Sequence, residues 1–185
     1  MKPLATAGLT VALVLVAACS ESEPTAVAPV PDGPAQAVAQ NCGTAGTAQL
    51  SGANEVPSRD TPAGGQATVR LSDDGTSLSY QLIVANIDNV LASHLHPGPP
   101  DQNGPVVASL AGPFPAAGGP VNGVLAQGTI TAANLLGPLA GQRLEALLSE
   151  IAGNIYVNVH TNDGVAPPNT GPGDFPGGEI RGQIR

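Results

Sequence analysis

Leu91-Ala92-Ser93-His94-Leu95-His96-Pro97-Gly98 is the stretch from which the rest of this 185-residue chain can be read. In a β-strand, side chains two residues apart point to the same face. His94 and His96 therefore stand side by side, while Leu95 turns toward a core. The third and last histidine closes Ile155-Tyr156-Val157-Asn158-Val159-His160, which alternates just as cleanly. Ile155, Val157 and Val159 read as its buried face, and Tyr156, Asn158 and His160 as its polar face. All three histidines of the chain thus fall on expected strands, on the side away from the apolar residues.

The neighbouring sequence continues in the same period. Ala48-Gln49-Leu50-Ser51-Gly52 is a short first strand, broken by Pro57 because proline cannot serve a central ladder. Gln66-Ala67-Thr68-Val69-Arg70-Leu71-Ser72 alternates, Asp73-Asp74-Gly75-Thr76 turns, and Leu78-Ser79-Tyr80-Gln81-Leu82-Ile83-Val84 returns as a hairpin partner. Residues 104–110 and 123–131 supply two more strands. Leu144, Leu147, Leu148 and Ile151 fall at helical spacing, with Arg143, Glu145 and Glu150 opposite, so one short amphipathic helix is expected near 141–152. The last residues alternate again, with Ile180 and Ile184 inward. Pairing Val159 with Ile180 sets Asn158 opposite Arg181 and His160 opposite Glu179. The expected fold is all-β, a Greek-key β-sandwich of about eight strands with one covering helix.

The start of the chain is of another kind. Met1-Lys2 precedes an uncharged run rich in Leu, Val and Ala, too short to span a bilayer comfortably and built like a signal peptide. Val16-Ala17-Ala18-Cys19 closes it and resembles the bacterial lipobox. That resemblance implies a signal peptide over 1–18, lipid on Cys19, and lasting attachment to the cell envelope, since two or more acyl chains anchor where one barely binds. Ser20 after the Cys favours the outer membrane, where there is one. Residues 19–46 form a Pro-rich tether reaching roughly 30 Å as a flexible coil, which leaves the domain at 47–185. With Cys19 lipidated, Cys42 has no partner in the chain; it is a free thiol or is joined to another molecule.

Composition narrows the function. Aromatic residues are 2% of the chain, so its core is aliphatic. A formal charge of −8 with six Lys+Arg argues against nucleic acid, whose phosphates need a basic patch. No Ser stands in a nucleophile elbow, and there is no phosphate-binding loop. Asp101-Gln102-Asn103-Gly104 has the start of a calcium loop without its remaining ligands, and reads as a turn. The three imidazoles are the exception. Neutral imidazole is a good ligand for zinc and copper, and three of them leave a fourth position open. His94, His96 and His160 are the candidate ligands. Glu179 is the candidate to orient one ring or to act as a fourth ligand, with Asp163 and Asp101 on loops within reach of the same region. The alternative for the same residues is a hydrogen-bonded polar cluster under the loops.

Four phrases together, Leu50-Ser51-Gly52-Ala53-Asn54-Glu55-Val56-Pro57, Ser93-His94-Leu95-His96 with Gly104-Pro105-Val106-Val107, Tyr156-Val157-Asn158-Val159-His160-Thr161 and Gly178-Glu179-Ile180-Arg181-Gly182-Gln183-Ile184, resemble the chordin-type (CHRD) domain family. The resemblance covers about residues 47–185. It implies a module found in an extracellular growth-factor antagonist of animals and, alone, in bacterial exported proteins. A second similarity is to the copper/zinc superoxide dismutase family, a Greek-key sandwich with a His-x-His strand and a later strand ending in a third copper ligand. His94, His96 and His160 match those positions in order, and Arg181 is the candidate for its channel arginine. No fourth histidine follows His96, so the zinc site of that family has no counterpart.

The sequence therefore leads to a lipid-anchored extracytoplasmic domain. It is first a non-enzymatic module binding an unknown protein or small ligand. The second reading is a copper- or zinc-binding protein with a three-histidine site, open to redox chemistry.

Overall fold

A computed structural model of the chain describes residues 45–150 and 154–185. Period-two alternation builds eight strands in it: β1 (Ala45–Ser51), β2 (Gly64–Leu71), β3 (Leu78–Asp88), β4 (Val90–Pro97), β5 (Ala108–Ala111), β6 (Pro120–Ile130), β7 (Ile155–Thr161) and β8 (Ile180–Gln183). β2 is representative: Ala67, Val69 and Leu71 are buried, and Gln66, Thr68 and Arg70 between them are exposed. At the expected turn to β3, Gly75 takes a positive φ of 70° and the Asp74 carboxylate accepts the Ser72 hydroxyl and the Thr76 N–H.

The strands form one antiparallel sheet in the order β5-β4-β7-β8-β1-β2-β3-β6. The sheet curls until its two ends, β5 and β6, lie beside one another. Tyr80 of β3 donates to the Leu110 carbonyl of β5 across that gap, at 2.8 Å. β7 returns from beyond β6 to lie against β4, which is Greek-key order. The interior is aliphatic: Leu50, Leu82, Leu95, Val157, Val159 and Ile180 are all nearly or wholly inaccessible. A helix α1 (Leu144–Glu150) adds Leu144 and Leu147 to that core. Its Arg143–Glu145 ion pair lies in solvent.

Several boundaries differ from expectation. β1 reaches back at least to Ala45, the first described residue; Gly46 pairs with Val69, and a Cβ there would overlap Ile184. The strand expected from Gly104 starts only at Ala108, since Gly104 folds over the sheet and Pro105 has no N–H for a ladder. The helix is seven residues long; 141–143 form a turn before it, and 151–153 lie outside the described residues. The signal peptide, Cys19, Cys42 and nearly all of the tether also lie outside them.

Candidate metal centre

Strand register puts the chemistry on one face. In the β4–β7 ladder His94 lies opposite Asn158, His96 opposite Tyr156, and Ala92 opposite His160. In the β7–β8 ladder Val159 pairs with Ile180 and Asn158 with Arg181, the register anticipated from the sequence. His94, His96, Tyr156, Asn158, His160 and Arg181 therefore share the face away from the aliphatic core.

That face is largely covered, with His96 buried and His94 and His160 half-buried. The segment after β4 folds back across it, and Gly104 ties it down twice. Its N–H donates to the Tyr156 hydroxyl and its carbonyl meets His96 Nδ1, both at 3.0 Å. Only glycine fits there, because a Cβ would overlap the Pro97 carbonyl. Arg181 reaches the same segment, donating to the Pro99 carbonyl at 2.7 Å and to Asn103 at 3.1 Å. The loop before β8 covers the other end, where the Pro176 carbonyl lies 3.0 Å from His160 Nδ1.

The three imidazoles meet under this cover. Ring centroids are 5.1 Å apart for His94–His160, 5.8 Å for His94–His96 and 5.9 Å for His96–His160. One ring nitrogen from each lies within 4.8 Å of the other two. A carbonyl can only accept, so the Nδ1 atoms of His96 and His160 carry their protons and donate them. Each Nε2 is left with a bare lone pair. His96 Nε2, His160 Nε2 and His94 Nδ1 are all buried without a hydrogen-bond partner.

The rings are neutral at physiological pH. Burial holds His94 below the ordinary imidazole range. Burial does the same to His96 against the opposing Gly104 carbonyl, helped by repulsion from His94 and Arg181. His160 is pushed down to about 4, first by burial and then by His94, with the Pro176 carbonyl opposing. Orphaned buried acceptors are rare and call for an explanation, an ion among them. A tetrahedral metal with bonds of about 2.0 Å needs its ligands on the order of 3.3 Å apart, so binding draws the rings together by up to roughly 1.5 Å, a matter of small torsional changes.

None of the three carboxylates expected near the histidines pairs with an imidazole. Glu179 is fully buried, but its oxygens accept from the Thr61 and Thr161 hydroxyls and the Gly173 N–H, not from an imidazole. The histidines' outer partners are the carbonyls of Gly104 and Pro176 instead. Asp163 caps its own turn by accepting the Val165 N–H. Asp101 is exposed, and its charge acts on Arg181.

Arg181 and Tyr156, on the polar face expected from the sequence, and Glu55, which had no signal there, complete the surroundings. The Arg181 guanidinium lies 3.4 Å over the Tyr156 ring. That ring stacks in parallel on His96, at 5.0 Å and 6°. Glu55 is buried beside Asn158, and burial raises its carboxyl to about 7 despite the opposing charges of Arg181 and Arg59. An open cleft of about 540 Å³ lies against Arg181, bordered by Glu55, Gln183 and Arg185.

Fold and site together define an antiparallel Greek-key domain whose buried polar face gathers three imidazoles. The CHRD domain profile matches residues 46–184. The chain belongs to the CHRD domain family. No curated protein and no solved structure matches it.

Proposed function

We propose that this CHRD domain is a metal-binding module of the bacterial cell envelope, holding one copper or zinc ion on His94, His96 and His160. The observations that carry this are that one ring nitrogen of each histidine lies within 4.8 Å of the other two, and that each histidine has a buried ring nitrogen without a hydrogen-bond partner. A hydrogen-bonded polar cluster would pair those nitrogens; a metal uses all three lone pairs at once. The order of the histidines along the chain, shared with the copper ligands of the superoxide dismutase family, supports the same reading and makes redox chemistry its natural extension. Attachment through lipid on Cys19 is part of the proposal and rests on Val16-Ala17-Ala18-Cys19.

The test is elemental analysis of the full chain, purified without a polyhistidine tag or chelator, beside His94→Gln and His160→Gln. Near-stoichiometric copper or zinc, lost in both variants, supports the site. No bound metal and no uptake of added copper or zinc overturns it. Fatty-acid labelling that depends on Cys19 tests the anchor; an unlabelled chain contradicts it.

Binding of a small ligand or protein without metal is the second reading, favoured by the open cleft beside Arg181. It expects partner affinity to survive the histidine substitutions.

A further inference from the structure

Resting on that metal site, we infer that the trio is built for copper in its cuprous state, and that the buried guanidinium of Arg181 sets this preference through the Tyr156–His96 stack.

The donor set is uncharged. Among the described residues the cluster contains three imidazoles and no carboxylate or thiol. The charges that act on the rings are one another's and that of Arg181. Glu179, the nearest acid along the strand, is committed to Thr61, Thr161 and Gly173. The atoms supporting His96 and His160 are backbone carbonyls, which orient a ring without lending it a negative charge. A divalent ion here keeps its full charge in a desolvated setting, whereas Cu(I) brings half of it.

Arg181 sharpens the difference. Arg181 is 1% exposed, with the open cleft running along one side of it. It lies face-on to Tyr156, which lies face-on to His96, so a fixed cation stands two rings from the ligand. The carboxyls that act on Arg181 offset it only in part, since burial raises that of Glu55 to about 7 and Asp101 lies out in solvent. One unit charge at a separation of about 10 Å and an effective dielectric of about 20 favours the lower metal charge on the order of tenfold.

The oxidation states differ by one electron, Cu(II) + e⁻ → Cu(I), and no bond of the protein forms or breaks. Each tenfold preference for Cu(I) raises the copper potential by about 59 mV above that of the unbound couple.

The experiment uses the full chain carrying Cys19→Ser and Cys42→Ser, so that no thiol competes for Cu(I). Affinities for Cu(I) under reducing anaerobic conditions, Cu(II) and Zn(II) are measured by competition with chromophoric chelators of each ion. The expected result is one equivalent of Cu(I), bound at least tenfold more tightly than Cu(II) and more tightly than Zn(II). Arg181→Gln lowers the Cu(I)-to-Cu(II) preference about tenfold, while Arg181→Lys, which also loses the guanidinium contacts but keeps the charge, largely retains it. Equal or tighter binding of Cu(II) or Zn(II) overturns the inference and leaves the site standing. An unchanged preference in Arg181→Gln removes the role of the guanidinium. Should both variants unfold, the affinity ratio of the parent chain decides the preference for Cu(I). No binding of any of the three ions removes the site, and the inference with it.

Discussion

β6 and β7 are strands of the same sheet and end in opposite environments. Gly123, Val124, Gln127 and Thr129 of β6 face solvent, and Val124 is 55% exposed. On β7, Ile155, Val157 and Val159 fill the barrel, yet Tyr156 and Asn158 on the other side are 1% and 3% exposed. The difference comes from what lies above each strand. Among the described residues nothing covers the middle of β6, whereas two Gly- and Pro-rich segments fold over β7. Those loops turn the outer face of β4, β7 and β8 into a second, polar core, held by directional bonds where the first is held by apolar burial. A buried polar core is where ligand chemistry belongs, because its groups are both fixed and desolvated.

The sharpest way to break this comparison is to truncate one residue in each layer. Tyr156→Ala removes the ring between Arg181 and His96, and is expected to cost about 3–5 kcal/mol, as in a true core. Leu82→Ala, inside the barrel, is expected to cost about 3 kcal/mol. Urea unfolding measures both. A cost below about 0.5 kcal/mol for Tyr156→Ala is the signature of a solvated face and contradicts the two-core account.

A pH experiment follows in size. The Glu55 carboxyl is raised from 4.5 to about 7, so its contribution to stability is complete below pH 4.5 and is lost as pH rises through 7. Glu55→Gln abolishes that loss. Between pH 5 and pH 8 the stability difference between the parent chain and Glu55→Gln should shift in favour of the variant by on the order of 2.5 kcal/mol. His160, pushed down to about 4, works oppositely, losing stability as pH falls from 6.5 through 4, but is common to both chains and drops out of the comparison. A constant difference across that range contradicts the burial of Glu55 as a proton-holding acid. The smallest effect is expected on β6, where Val124→Thr should stay within about 0.5 kcal/mol of the parent. A larger loss there would mean that something covers this face.

The same contrast explains what the sequence disclosed. Alternation alone identified the strands and the inward faces of Ala67, Val69, Leu71, Val157 and Val159. Keeping apolar residues on one face narrowed the pairing to registers two residues apart, since a one-residue slip would expose both valines, and the structure takes the one that pairs Val159 with Ile180 and Asn158 with Arg181. The histidine trio was legible for the same reason, because all three stand at polar positions of strands that become neighbours. The carboxylates were not. Glu179 is opposite His160 by extrapolated register, but the ladder ends at Ile180, and its side chain turns to Thr61 and Thr161 instead. Burial of the polar face was illegible too, since it depends on where Gly104 and Pro176 return across the sheet. Glu55 carries no local signal at all: it follows a 3₁₀ turn at Gly52–Asn54 and meets Asn158 from a hundred residues away in sequence.

The central claim is that three particular ring nitrogens are held bare for a metal. Long-range proton–nitrogen correlation spectra of the full chain, recorded as zinc is added, read those atoms one by one. The account predicts that His94 Nδ1, His96 Nε2 and His160 Nε2 move together to the shifts of ligating nitrogens at one equivalent, while the Nδ1 protons of His96 and His160 stay on Gly104 and Pro176. Unmoved imidazoles, or ligation through a different set of nitrogens, would contradict it.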